Sequence, residues 1–204
     1  AEVGPDNRVI DLGTGDGRIL IAAARDRGAS GLGVDLDPTL IPVARANAER
    51  QNVTDQVTFR QQDLFDTPLA GAHVVTMFLT PEVNLRLRPR LLDQLEPGSR
   101  VVSNRFDMGE WQADGIRTVA GHNAYMWVIP ANVAGSWRLR DGGRDLRIEL
   151  EQSFQQVRGE ALVDGNRVPV VASLRGDRMT LRLDSDGRAL AYEGTVAGDR
   201  FVPS

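Results

Sequence analysis

Apolar and polar residues follow two rhythms along this chain, and the change comes near residue 115. Before it, short apolar runs alternate with helical stretches. Val9, Ile10 and Leu12 make the first run, a buried strand. Residues 19–27 read as a helix that stops at Gly28, a usual C-terminal signal. Residues 31–35 are a second apolar strand ending in an acid. Asp37-Pro38 reads as an N-cap with proline at the first helical position, and Leu40, Ile41, Ala44 and Ala48 then share one helical face. Residues 56–60 and 72–78 are the third and fourth strands, Thr80-Pro81-Glu82 opens a third helix, and residues 100–103 are the fifth strand. Pro89 should kink or split that third helix, since it lacks an N–H and its ring clashes with the preceding turn. Strands alternating with helices at this spacing imply an α/β fold with a doubly wound parallel sheet and right-handed crossovers. The run 125–129 is expected to close the sheet.

After residue 115 no helix is convincing. Turn signals recur instead: Asp141-Gly142-Gly143, Asp164-Gly165-Asn166, Arg175-Gly176-Asp177, Asp184-Ser185-Asp186-Gly187 and Ala197-Gly198-Asp199. Between them Leu146/Ile148/Leu150, Val168/Val170/Ala172 and Met179/Leu181/Leu183 alternate at period two. This predicts an antiparallel β-meander of roughly six to eight strands. The boundary is placed within residues 131–136, giving domains 1–133 and 134–204. A meander leaves backbone edges unpaired and an apolar side uncovered. It can curl into a closed barrel, or two copies can pair about a two-fold axis. The scarcity of large residues (Phe154, Tyr192 and Phe201 are the only aromatics after Trp137) favours a homodimer through this β domain.

Composition narrows the chemistry. The chain has 204 residues, 41% hydrophobic and 25% charged, as expected of a globular protein. No apolar run approaches the ~18 residues of a membrane span, and no signal-peptide pattern opens the chain, which points to the cytoplasm. Residue 1 is Ala, not Met, so the native N-terminus can lie upstream. There is no cysteine, and the two histidines are His73 and His122, so neither thiolate chemistry nor a metal site is expected. Net charge is −4, which argues against nucleic acid as the acceptor. Every basic residue is arginine.

The stretch that organises the chain is Asp11-Leu12-Gly13-Thr14-Gly15-Asp16-Gly17-Arg18. It follows a strand and opens a helix, so its glycines let the backbone turn sharply and lie close to a ligand at the helix start. A dinucleotide fingerprint would put its third glycine at position 18, where Arg18 stands, which disfavours a nicotinamide-dependent oxidoreductase. The pattern Asp-x-Gly-x-Gly-x-Gly instead resembles the first motif of class I S-adenosylmethionine-dependent methyltransferases. Gly33-Val34-Asp35-Leu36-Asp37, Asp63-Leu64-Phe65 and Val102-Ser103-Asn104-Arg105-Phe106-Asp107-Met108-Gly109-Glu110-Trp111 extend the likeness, which is to small bacterial relatives of the FAM173-type protein-lysine methyltransferases. It covers about residues 8–130 and not the meander.

The resemblance implies a Rossmann-like sheet, S-adenosylmethionine as methyl donor and S-adenosylhomocysteine as product. It implies that the cofactor is held by Asp11, Gly13, Thr14, Gly15, Asp16, Gly17, Asp35, Leu36, Asp63, Leu64 and Phe78. Asp35 would accept hydrogen bonds from the ribose, Asp63 would meet the adenine amino group, and Asp11 would orient the methionine amino group. Asp16 suits either that amino group or a helix cap. Related families acting on amines often carry Asn/Asp-Pro-Pro-Tyr after strand four; this chain has Leu79-Thr80-Pro81-Glu82. Asn104, Asp107 and Glu110 follow strand five and are the candidates for orienting an acceptor, with Phe106 and Trp111 as pocket walls or packing residues. The expected reaction is in-line methyl transfer to a protein amine or small molecule, which needs positioning more than acid–base groups. The alternative is a non-catalytic, methyltransferase-like scaffold that holds a nucleoside ligand.

Overall fold

Strand β1 (Arg8–Leu12) takes the centre of the first sheet because its apolar run is covered on both faces: Val9, Ile10 and Leu12 are at most 1% exposed. The structure, a computed structural model, describes residues 1–204 apart from Ala120, Gly142, Gly143, Asp164 and Asp186. It divides into two units, Ala1–Ile129 and Pro130–Ser204. The division falls just before the expected one, and Ala131 and Val133 are buried in the second unit's core.

In the first unit β1 is followed by α1 (Arg18–Arg27), β2 (Ser30–Asp35), α2 (Leu40–Arg50), β3 (Val57–Gln61), β4 (Val74–Met77), α3 (Pro81–Gln94), β5 (Arg100–Asn104), β6 (Gly115–Val119) and β7 (His122–Val128). Among the described residues these strands form one sheet in the order β3-β2-β1-β4-β5-β7-β6. The first five are parallel, and β7 runs antiparallel to both β5 and β6. The order reverses between β1 and β4, so a crevice opens there at the carboxyl ends of the strands. The helices lie on the sheet through the expected stripes: Leu20, Ile21 and Ala24 of α1 and Ile41, Ala44 and Ala48 of α2 are buried.

Two helix expectations need correction. Helix α2 begins at Leu40, with Thr39 rather than Asp37 at its cap position. Asp37 still accepts from the Thr39 N–H (2.8 Å) and hydroxyl (2.7 Å), so its carboxylate closes a turn ahead of the regular helix. Helix α3 is not split at Pro89, which lies inside its single span Pro81–Gln94. Proline forfeits a single backbone bond there, and Leu87 and Leu91, both fully buried, anchor the helix on either side of it.

In the second unit β8 (Gly135–Asp141), β9 (Arg144–Ser153), β10 (Gln156–Val163), β11 (Asn166–Arg175), β12 (Arg178–Ser185), β13 (Arg188–Ala197) and β14 (Arg200–Pro203) pair in sequence order, each antiparallel to the next. Gly176 and Gly198 stand at expected turns with positive φ. The turns expected at Gly142-Gly143, Asp164 and Asp186 lie outside the described residues. The sheet curls into a half-barrel. Its concave side gathers Leu146, Ile148, Leu150, Leu181 and Leu183 into one cluster with the half-buried Trp137, Tyr192 and Phe201, each of those five being at most 4% exposed. The apolar face that suggested a homodimer is therefore buried within a single chain. Among the described residues no helix is long and apolar enough to cross a membrane.

Candidate active site

The glycine turn is strung on β2. The N–H groups of Gly13 and Thr14 both donate to the Val34 carbonyl at 2.9 Å, and the Gly15 N–H donates to the Asp35 carboxylate at 2.8 Å. Gly13, Gly15 and Gly17 all have positive φ, as the turn requires. The turn lies so close to β2 that a Cβ on Gly33 would sit 2.6 Å from the Thr14 hydroxyl and 2.7 Å from the Phe59 ring. Position 33 therefore has to be glycine for the turn to dock.

Beneath the turn Asp11 is 1% exposed. Its two carboxylate oxygens accept from the hydroxyls of Thr14 (2.7 Å) and Thr76 (2.5 Å). Burial pushes its pKa up, and the two hydroxyl donors work against that shift. A raised folded-state pKa means that the protonated acid is favoured in the fold. Its contribution to stability is full below the ordinary carboxylate range and is lost as pH rises through the raised value. Asp11→Asn should hold or raise the melting temperature at neutral pH and shrink its drop as pH rises above the ordinary carboxylate range. Asp11→Ala strands both hydroxyls and should cost about 1–3 kcal/mol. Thermal melts across a pH series check this, and a large loss in the Asn variant at neutral pH would refute it.

Asp16 stands just before the start of α1. Its carboxylate accepts from the Arg18 guanidinium (2.6–3.1 Å) and from the Arg18 N–H, and these bonds hold its pKa below the usual range. Of the two roles open to it, the bond from the Arg18 N–H serves the helix start. Asp35 sits at the end of β2 with its other oxygen on the Asp37 N–H (3.0 Å). Asp63 follows β3 and accepts from the Phe65 N–H (2.8 Å), capping a short 3₁₀ turn, Leu64–Asp66. That turn is gripped from α3: Arg90 donates to the carbonyls of Leu64, Phe65 and Thr67, and the Arg86 guanidinium stacks 4.2 Å from the Phe65 ring.

These pieces enclose a cleft of about 550 Å³. The strand order splits its wall into two halves. The ends of β1, β2 and β3 contribute Gly13, Val34, Asp35, Leu36, Gln62, Asp63, Leu64 and Phe65. The end of β4, the start of α3 and the segment after β5 contribute Phe78, Leu79, Thr80, Val83 and Phe106. The first half fits the donor. Carboxylates at two strand ends keep free lone pairs for hydroxyl and amino groups, and Leu36, 68% exposed, offers an uncovered apolar surface to a flat base.

Of the expected cofactor residues, Gly13, Asp35, Leu36, Asp63, Leu64 and Phe78 line the cleft, while Asp11, Thr14, Gly15, Asp16 and Gly17 build the turn beside it. The three acceptor candidates fare differently. Asn104 ends β5, Asp107 is exposed with its carboxylate on the Gly109 N–H (3.0 Å), and Glu110 is exposed in the next turn. None of them lines the cleft; Phe106 does. A polar loop residue closes its own turn where water can solvate it, and the apolar neighbour fills the wall. Trp111, 1% exposed, packs at 5.7 Å from Trp127, whose indole N–H donates to the Trp111 carbonyl (2.8 Å), so it belongs to the core. His73 accepts from the Arg8 N–H through Nδ1, at the opposite end of the strands, and is structural. Sequence reasoning missed Gly33 under the turn and Val34, Gln62, Phe65, Leu79, Thr80 and Val83 in the cleft wall. For Gly33 a signal existed, since two alternate glycines in a strand mark a close approach on one face.

The comparisons with known proteins agree with this geometry. Residues 11–115 match the family described as ANTKMT methyltransferase domain. A protein-lysine N-methyltransferase of Saccharolobus islandicus is 39% identical over 134 residues, 63% of this chain and 83% of that protein. The adenine nucleotide translocase lysine N-methyltransferase of Mus musculus is 38% identical over 109 residues, and the match spans about half of each (53% of this chain and 48% of that protein). A crystal structure named as an RNA methyltransferase from Salinibacter ruber, in complex with S-adenosylhomocysteine, superposes with a TM-score of 0.63 at 48% identity, covering 64% of this chain and 86% of that one. Glycine turn, paired strand-end acids, sheet order and family match converge: the chain belongs to the ANTKMT methyltransferase domain family and is an S-adenosylmethionine-dependent methyltransferase.

Proposed function

We propose that the acceptor is the side-chain amine of a protein lysine. The observation that carries this reading is the composition of the acceptor half of the cleft. Phe78, Leu79, Thr80, Val83 and Phe106 bring no charged side chain to its wall. The four-carbon stem of lysine lies well against such a wall, and an apolar slot favours the neutral amine over the ammonium. Only the neutral amine has the lone pair that attacks. The name of a relative, the protein-lysine N-methyltransferase of Saccharolobus islandicus, supports the same acceptor. A second reading comes from the Salinibacter ruber protein, named as acting on RNA.

The cofactor supplies an activated methyl group when bound. The chain's own residues supply the rest. Asp35 and Asp63 hold the nucleoside end, and Gly13 with its neighbours lets the backbone approach. Phe78, half-exposed at the end of β4, and Phe106 exclude water from the reacting side and fix the direction from which the amine enters. No side chain is assigned to remove a proton, so transfer should speed up with pH as more of the free amine (ordinary pKa about 10.4) is neutral. The test is incubation with methyl-labelled S-adenosylmethionine and, in parallel, lysine-bearing peptides, simple amines and an RNA transcript. Label on lysine, rising between pH 7 and 9, is expected. Faster labelling of RNA than of any lysine substrate would overturn the proposal in favour of the second reading.

A further inference from the structure

Helix α3 does more than start at the cleft. Asn84 and Arg88, one helical turn apart, donate to three successive carbonyls of the segment after β5. The Asn84 amide nitrogen lies 3.3 Å from the Phe106 oxygen and 3.2 Å from the Asp107 oxygen, and Arg88 lies 2.8 Å from the Met108 oxygen. The same amide nitrogen reaches the Ser103 hydroxyl at 3.1 Å. Carbonyl oxygens cannot donate, so the amide can face them only through its NH2 group, and its orientation is fixed.

Two features show that this arrangement runs against stability. Asn84 is fully buried and its Oδ1 has no hydrogen-bond partner among the described residues. Arg105, next to Phe106, is a non-glycine residue at φ 77°, with its N–H on the Asn123 carbonyl at 2.7 Å. Polar burial without full pairing and a left-handed arginine meet at one short segment, and the product of both is the placement of the Phe106 ring in the cleft wall.

We propose that Asn84 and Arg88 are positioning residues for methyl transfer, acting through Phe106, and that Phe106 determines which acceptors enter. This rests on the reading above only in placing the acceptor at the Phe78–Phe106 side; it holds for a lysine or for an RNA base. Helix α3 thereby ties Thr80 and Val83, which line the cleft directly, to a wall supplied by another strand end.

The test uses the full chain and the variants Asn84→Ala, Arg88→Met and Phe106→Ala. Two measurements are made: backbone amide hydrogen exchange over residues 105–109, and S-adenosylhomocysteine affinity by calorimetry. Steady-state methyl transfer to the substrate found in the acceptor screen is added. Loss of the clamp should speed exchange in that segment at least about tenfold in Asn84→Ala and leave S-adenosylhomocysteine affinity within about twofold. The acceptor KM should rise about tenfold, as far as in Phe106→Ala, and Asn84→Ala combined with Phe106→Ala should be no worse than Phe106→Ala alone. If Asn84→Ala does not fold, Arg88→Met, which keeps the aliphatic stem, carries the same expectations at smaller size. Unchanged exchange overturns the proposal whatever the acceptor proves to be, as does a cofactor affinity that falls in step with the acceptor KM. Should the wild-type chain label nothing in the screen, the lysine reading fails while the exchange result still decides the clamp.

Discussion

Asp35→Ala is expected to weaken S-adenosylmethionine binding by about 100-fold or more in a calorimetric titration. Two charge-assisted hydrogen bonds to the ribose, at roughly 1.5–3 kcal/mol each, account for that size. The structure adds a second reason. The same carboxylate holds the Gly15 N–H at 2.8 Å and the Asp37 N–H at 3.0 Å, so removing it also takes away one of the three bonds that tie the glycine turn to β2. The melting temperature should fall along with the affinity. Asp35→Asn keeps the shape but has a single acceptor oxygen, and its NH2 would face one of those N–H donors. It should lose most of the affinity too. An Asp35→Ala protein that binds the cofactor as tightly as the parent would remove Asp35 from the site.

Gly33→Val should be the more damaging of two glycine replacements. A Cβ at position 33 meets the Thr14 hydroxyl at 2.6 Å and the Phe59 ring at 2.7 Å, both in the buried interior. Thr14 would be driven off Asp11, leaving a buried carboxylate with one donor fewer. Overpacking of this kind costs about 1–3 kcal/mol and the lost hydrogen bond about as much again. Stability and cofactor affinity should therefore drop together. Gly15→Val is the contrast. Nothing lies within 4 Å of a Cβ there, so the substitution meets open space on the ligand side at φ 56°. Backbone strain of about 1–2 kcal/mol is tolerable, so the fold should survive while binding is blocked. Thermal melts with and without S-adenosylhomocysteine separate the two. A Gly33→Val protein that melts like the parent would refute the close approach.

The parts of the site that could be read beforehand are those whose chemistry is local. A glycine turn between a strand and a helix announces itself within eight residues, and acids at strand ends, such as Asp35 and Asp63, can be placed once the strands are. The parts that escaped depend on partners far along the chain. Asn84, Arg88 and Arg90 appear in sequence as polar positions on an amphipathic helix, indistinguishable from solvated ones. Their carbonyl partners, at residues 64–67 and 106–108, come within reach only when the sheet has formed. Asn104, Asp107 and Glu110 attract notice in the sequence because they can do chemistry, while the residue of that segment that lines the cleft is the apolar Phe106. In the second unit the period-two pattern located the strands and left two ways of covering their apolar side, curling or pairing, without choosing between them. Curvature accumulates from the twist between neighbours across the whole sheet and leaves no mark in any one strand.

The two sheets differ in how far apart along the chain their pairing partners lie. In the second, every strand pairs with its neighbour in sequence, so it can zip up hairpin by hairpin with little entropy lost at each closure. In the first, Asp11 and Thr76 meet across 65 positions at the heart of the sheet, and β1 gains its second neighbour only when that long loop has closed. The cleft is a late product of this closure, because its walls come from strand ends on both sides of the junction. A refolding chain caught midway can carry a finished meander and no site at all.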